Sequence, residues 1–470
     1  MSTQEATMPE PFMSDPFMSD PLMSDQNITE LTTLADWLAY ISKAHPAEIE
    51  MGLGRIRQVF NLMGLAECAE LVQPKQIVVV SGTNGKGSTI ALIEAGLLSM
   101  GLTVGAYTSP HIQSYNERVK INAKPVSDEK LIAAFSLVEQ ARKDTTLTYF
   151  EFGTLAAFDV LFTAELDVLI LEIGLGGRLD AVNIIDADLA IITSVGLDHT
   201  DWLGTSLEAI GFEKAGILRP KGQAILGENL PASVYQYAEE IACQSLLINE
   251  DFSRHDQNLV LSSHTEKLKF SGFPTIRLPD NNILLALQAI QSISENLVAK
   301  SLKSTKTEFC YPALLEVFSN LVIPGRLEEI KSAKLSSTHR VFLDVGHNPH
   351  AARYLVTFLA QFKVKGGIIN AVYSSLADKD VVAVSEILSP VFDTWFIAPL
   401  EDERALDITE LETAVGVHAK NMLSFLSLHE ALDAALTARL DHNSTQSPSI
   451  TLVFGSFYVI EAAKAYFEGL

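Results

Sequence analysis

Gly82-Thr83-Asn84-Gly85-Lys86-Gly87-Ser88 decides the fold because of what stands on either side of it. Before it, Ile77–Val80 is a short β-branched run of the kind that builds a buried strand. After it, helical apolar spacing continues through Met100. Glycines at a strand-to-helix turn let backbone N–H groups converge on phosphate oxygens at the positive end of the helix. Lys86 adds a charge that can follow β- and γ-phosphates, and Ser88 or Thr89 offers a hydroxyl to phosphate or magnesium. The loop is a residue shorter than the commonest phosphate loop, with Gly87 between lysine and hydroxyl. The expectation is an ATP site built on Thr83, Asn84, Gly85, Lys86, Gly87 and Ser88.

Outward from the loop, β-branched runs alternate with helical patterns. Val168–Leu171 and Leu189–Thr193 read as further strands of a parallel sheet with helices on its faces. About 230 to 279 reads as short strands and loops, and Asn281–Ile293 as helix. A Pro-Gly turn at Ile323-Pro324-Gly325-Arg326 precedes a second series with strands at Arg340–Val345, Gly367–Val372, Thr394–Ala398 and Ile450–Phe454. The expected fold is α/β: a P-loop ATPase domain over 31–323, then a smaller doubly wound, Rossmann-like domain over 324–470. Residues 1–30 hold three five-residue repeats, beginning at Pro11, Pro16 and Pro21, and read as a disordered tail.

With 470 residues, two domains are the natural expectation. The formal charge of −24 argues against sequence-independent binding to nucleic acid or anionic membrane. An anionic substrate would need a local basic island, and Arg118, Lys120 and Lys124 form one such cluster. Three cysteines in no paired spacing make a disulfide framework or zinc site unexpected. With no apolar stretch long enough to span a bilayer and no secretory pattern at the N-terminus, a cytoplasmic protein is expected.

Acids and histidines gather where the predicted strands end, the edge at which ligands of open α/β sheets collect. Glu172 ends a buried run and leads into Gly174-Leu175-Gly176-Gly177-Arg178-Leu179-Asp180, where the guanidinium and carboxylate point to function. His199 follows the next strand, bracketed by acids, as a metal-ligand candidate. Lys214 closes a helix. Desolvated beside magnesium, its neutral amine would capture carbon dioxide as a carbamate. In the second series Asp344 is placed to orient a ribose, base or ammonium group. His347 and Asn348 would face the interdomain cleft, and Arg326 would reach a polyphosphate.

Taken in order with Thr108-Ser109-Pro110-His111, these residues resemble the muramyl-ligase superfamily and, within it, the bacterial bifunctional dihydrofolate synthase/folylpolyglutamate synthases. The likeness runs from about Leu34 to the C-terminus. It implies ATP-dependent ligation of L-glutamate to a carboxylate through an acyl phosphate, with dihydropteroate and reduced folates as acceptors and a monomeric enzyme. It further implies one magnesium on Ser109 and Glu172, and a second on Glu172, His199 and carbamylated Lys214. Nucleotide contacts would come from Asn282, Arg326 and Asp344, with His347 and Ser456 near the incoming glutamate. The pterin-site segments match as Glu50-Met51-Gly52-Leu53, Thr148-Tyr149-Phe150-Glu151 and Leu179-Asp180-Ala181. A polyglutamate-only enzyme, a cell-wall muramyl ligase and a silent nucleotide-binding regulator are the competing expectations. The last should lack Lys86, Glu172 or Lys214, and all three are present.

Overall fold

The computed structural model describes residues 31–66, 74–273, 276–299, 309–331, 339–364, 367–437 and 449–469. The N-terminal repeats lie outside them. In chain order the strands are β1 (Gln76–Ser81), β2 (Val104–Tyr107), β3 (Val119–Ile121), β4 (Lys124–Pro125), β5 (Val168–Glu172), β6 (Leu189–Ile192), β7 (Gln223–Leu226) and β8 (Gln244–Leu247). They form one sheet of order β4-β3-β2-β5-β1-β6-β7-β8. Every pairing from β2 to β8 is parallel, and β3 and β4 add an antiparallel edge to β2.

Period-two alternation assigns the two faces of this sheet. Val79, Leu169, Leu171, Ala190 and Ile192 point to one core, shared with helices Leu34–Ile41, Gly54–Leu62, Asp128–Arg142 and Tyr149–Phe162. Their neighbours Val78, Val80, Val168, Ile170 and Ile191 point to the other, against helices Lys86–Ser99, Asp280–Ala299 and Tyr311–Asn320. Strands covered on both faces explain the near-continuous apolar runs in the sequence.

The stretch from about 230 to 279 carries more regular structure than its sequence indicates. It begins with a helix, Ala232–Glu240, and β8. A three-stranded antiparallel sheet follows, formed by β9 (Ser253–His255), β10 (Asn258–Ser262) and β11 (Lys267–Ser271). Only Val234 and Ala238 of the helix are buried, so its apolar pattern is too sparse to read.

After Arg326 come β12 (Glu328–Ile330), β13 (His339–Asp344), β14 (Ile368–Tyr373), β15 (Thr394–Ile397), β16 (Met422–Ser424) and β17 (Ser449–Phe454), in the order β12-β13-β17-β14-β15-β16. All but β12 run parallel. Helices Pro349–Lys363, Val381–Leu388 and Ile408–Gly416 cover one face of this sheet. Helices Leu428–Thr437 and Phe457–Glu468 cover the other, in a core that also takes Ile112 from the first part of the chain.

Register brings the chemistry-bearing ends into line. Val80 pairs with Glu172 and Ser81 with Ile192, so the phosphate loop, Glu172 and the residues after β6 leave one edge together. In the second sheet Asp344 and Tyr373 both pair with Phe454, placing Val345–His347 and Gly455–Ser456 on one edge. The two edges face each other across a cleft of about 1730 Å³.

Candidate active site

Two glycines in the phosphate loop have no substitute. Gly82 has φ +152°, and a Cβ on it would sit 1.9 Å from Thr193 Oγ1. Gly85 caps helix Lys86–Ser99 with φ +89°, and a Cβ there would lie 2.5 Å from Asn282 Oδ1. Asn282 is thereby placed against the loop. The residues after β6 clamp the loop: Thr83 N–H donates to Ser194 O (2.8 Å), Asn84 N–H donates to Ser194 Oγ (3.0 Å), and Thr193 Oγ1 donates to Asn84 O (2.7 Å). Lys86 Nζ donates to Gly82 O at 3.0 Å, folded back over its own loop. Burial pushes its ammonium below the ordinary range, opposed by the Glu172 carboxylate. Ser88 and Thr89 are buried, and Thr89 Oγ1 has no hydrogen-bond partner among the described residues.

The second part of the chain reaches this loop directly. Asn84 and Asn348 exchange amide hydrogen bonds (3.2 and 3.0 Å), and Asn84 Nδ2 lies 2.9 Å from His350 Nδ1. The Arg326 guanidinium lies over Gly87, 3.9 Å from where its Cβ would be, and 5.6 Å from the Phe457 ring. Burial lowers its affinity for its proton, and the Asp344 and Glu172 charges work against that.

Glu172 is buried, accepts the Ser109 N–H at 3.1 Å, and is pushed up by burial against the pull of Lys86. His199 starts a short helix in the left-handed region (φ +52°), and burial favours its neutral imidazole. The Lys214 amine is 4% exposed and makes no hydrogen bond or ion pair among the described residues. Burial, reinforced by the charge of Lys86, pushes it down to about 7. Ser109, Glu172, His199 and Lys214 line the same cleft. No three His, Cys, Asp or Glu side chains converge among the described residues. The donor set is a carboxylate, a hydroxyl and an imidazole. This suits a hard cation that draws the rest of its shell from phosphate and water.

Several acids hydrogen-bond to backbone N–H groups. Asp344, which lines the cleft, accepts Leu327 N–H (2.9 Å) and Gly346 N–H (2.8 Å) and so holds the Arg326 turn. Asp180, raised to about 6 by burial, accepts Leu175 N–H and Val182 N–H. Arg178, read from sequence as functional, is committed to Glu213 at 2.7 Å. Glu151 closes a capping box with Thr148 and meets Arg55, which also pairs with Glu50. This pairing joins the segments 50–53 and 148–151. Of the three pterin-site segments only Tyr149 lines the cleft. Phe150 stacks on Tyr107 (6.2 Å) and packs against Gly174, whose hypothetical Cβ would also approach the ring. Met51 approaches Gly176, and Leu179 and Ala181 flank Asp180.

On the opposite wall, His347 has Nδ1 2.9 Å from Val345 O, which leaves Nε2 3.5 Å from Asp198 Oδ2. Asp198 also takes Lys379 at 3.0 Å. Burial alone would raise Asp198, but His347 and Lys379 override it and hold the carboxyl far below its usual range. Ser456 is buried and caps helix Phe457–Glu468 by accepting Val459 N–H. Lys379 is the residue that sequence reasoning passed over. Its signal is a lysine between two acids, Asp378-Lys379-Asp380, shortly after a strand end.

The chain matches two family models, the Mur ligase middle domain over residues 80–287 and the Mur ligase glutamate ligase domain over 325–457. It is 38% identical to the dihydrofolate synthase/folylpolyglutamate synthase of Haemophilus influenzae, covering 93% of this chain and 98% of that protein. The chain belongs to the dihydrofolate synthase/folylpolyglutamate synthase family. The Escherichia coli member is 37% identical over 91% of this chain and 94% of its own length. Among solved members, E. coli FolC in complex with DHPP and ADP superposes with a TM-score of 0.80 at 35% identity, covering 93% of this chain and 98% of that one. A bifunctional member with Mn, AMPPNP and L-glutamate bound gives 0.78 at 35% identity and the same coverage. Members of this family are ATP-dependent ligases, and no helix among the described residues is long and apolar enough to cross a membrane.

Proposed function

We propose that this chain ligates L-glutamate to dihydropteroate, giving dihydrofolate, and to reduced folates, giving folylpolyglutamates, with ATP consumed through an acyl phosphate. One observation carries this most directly. The phosphate loop does not face open solvent but a second sheet edge, which contributes Arg326 over Gly87 and Asn348 and His350 against Asn84. A γ-phosphate held there meets groups from both parts of the chain, as transfer to a carboxylate followed by amine attack requires. Chain similarity supports both activities: relatives carrying the bifunctional name reach 38% identity, against 29% for the folylpolyglutamate synthase of Lacticaseibacillus casei.

The protein's own part is positioning and charge neutralisation, which is most of what phosphoryl transfer asks. Loop N–H groups, Lys86 and Arg326 hold the phosphates. Asn282 and Asp344 contact the nucleotide, Asp344 also holding the Arg326 turn. His347 and Ser456 border the incoming glutamate, with Nε2 of His347 turned towards Asp198. Ser109 and Glu172 would hold one magnesium, and Glu172, His199 and Lys214 a second. Bound there, the metal would neutralise phosphate charge. Lys214 is read as carbamylated because burial pushes its amine down to about 7 and it has no partner among the described residues. We divide the chain into 31–323 and 324–470 and read it as a cytoplasmic monomer acting on small molecules only.

The test is ATP turnover in the full-length protein with glutamate and each acceptor separately. Turnover is expected with dihydropteroate and with a reduced folate. Activity with the folate alone would remove the dihydrofolate synthase half, and activity with neither would remove the assignment.

A further inference from the structure

Arg118 has no role in the site described so far, and its surroundings are unusual. It ends the 3₁₀ turn Tyr115–Arg118 just before β3, is 9% exposed, and lines the cleft beside Tyr149. No acidic side chain among the described residues is within ion-pair distance of it. Its Nε donates to His111 Nδ1 at 2.8 Å, and its guanidinium sits 5.1 Å from the Tyr115 ring and 5.6 Å from the Tyr149 ring. Those contacts orient the fork without neutralising it. His111 adds no countercharge, since an imidazole is neutral or positive.

The neighbouring acid is turned away. Glu117 spends both carboxylate oxygens on the N–H groups of Ile112, Gln113 and Ser114. Arg142, the other buried arginine among the described residues, is ion-paired with Glu139 at 2.6 Å. Arg326, another guanidinium at this cleft with no ion pair among the described residues, lies over the phosphate loop, where its anion is the nucleotide. A desolvated, oriented and unneutralised guanidinium is a site for a planar anion, which a carboxylate fits in bidentate fashion. Its place is fixed close to the chemistry, because Thr108 N–H donates to Arg118 O at 2.8 Å, one residue before Ser109.

We propose that Arg118 recognises a second carboxylate of the ligation: the α-carboxylate of an amino-acid unit, from either the incoming glutamate or the glutamyl end of a folate acceptor. This rests on the ligase reading above. Dihydropteroate separates the two sources, since its only carboxylate is the one being ligated.

The experiment measures KM for glutamate and for each acceptor in wild type, Arg118→Gln and Arg118→Lys. Wild-type turnover is read first, so failure of the ligase reading shows there before any variant is compared. Loss of the bidentate contact is expected to raise one KM roughly 10- to 100-fold, with a smaller change in kcat. A rise in glutamate KM with both acceptors assigns the free amino acid. A rise in folate KM with dihydropteroate KM unchanged assigns the acceptor. Arg118→Lys keeps the buried charge and serves where the neutral variant does not fold. It should discriminate less than wild type between the α-carboxylate ligand and its α-amide. If neither KM moves beyond twofold and that discrimination is intact in the lysine variant, the guanidinium is a stacking element only and the proposal is overturned.

Discussion

Gly85 stands at φ +89° with Asn282 Oδ1 where a Cβ would go, so backbone strain and collision act together at one atom. Gly85→Ala is expected to cost about 1–2 kcal/mol from the left-handed backbone alone. It should also weaken ATP binding by pushing Asn282 away. Calorimetric ATP titration beside thermal melts checks both, and unaltered affinity would detach Asn282 from the nucleotide. At Lys214 the issue is the state of one nitrogen. A buried amine pushed down to about 7 has a substantial neutral fraction at physiological pH and is able to take up carbon dioxide. Lys214→Ala should lose most ligase activity and regain part of it with added formate or acetate, whose oxygens replace the carbamate. Full activity in the variant would exclude the carbamate.

At the scale of elements, the helix Tyr149–Phe162 shows how a cap becomes part of a site. Thr148 Oγ1 accepts Glu151 N–H (3.2 Å), and Glu151 returns a carboxylate oxygen to Thr148 N–H (2.9 Å). Thr148→Ala should therefore cost about 1 kcal/mol of stability. By loosening the turn that presents Tyr149, it should also raise KM for dihydropteroate more than for ATP. Thr148→Ser should restore both, and a stability loss with no change in KM would separate the cap from the acceptor site. The same capping habit limits what the sequence can say. Strand ends were legible because apolar runs stop where the sheet edge meets the cleft, and the Gly-Lys loop, Glu172 and His199 stand at those stops. An acid's direction was not. Asp180 and Glu151 satisfy N–H groups within a few residues, and Asp344 those of Gly346 and, seventeen residues back, Leu327; nothing in residue type distinguishes that from an acid aimed at a ligand. Arg118 was legible only as part of a charge cluster, since the absence of its counterion is a fact of three dimensions. Helix Ala232–Glu240 escaped because one shallowly buried stripe gives almost no period to read.

Across the whole molecule, polar contacts among the described residues link the two parts of the chain, several of them ion pairs. One such contact is centred on a carboxylate of the second sheet. Glu329, on β12, takes Arg340 of its own sheet (2.6 and 2.9 Å) and Arg277 from the segment leading into helix Asp280–Ala299 (2.6 Å). The Arg340 hydrogen bonds first, then Arg277, outweigh burial and hold the carboxyl at about 2. The folded-state value is thus below the unfolded one. Its stabilisation is complete above the ordinary glutamate value of about 4.3 and drains away as pH falls towards 2. Part of the group meets solvent, so the contribution at neutral pH should be no more than about 1 kcal/mol. Glu329→Gln is accordingly expected to melt slightly below wild type at pH 7, with the difference closing between pH 4.5 and pH 2 and shrinking in high salt. Melting curves of both proteins across that range check the sign. A difference that holds constant to pH 3 would mean that Glu329 acts through packing or neutral hydrogen bonding. The Arg277 link would then not be the charge contact that ties the two sheets together.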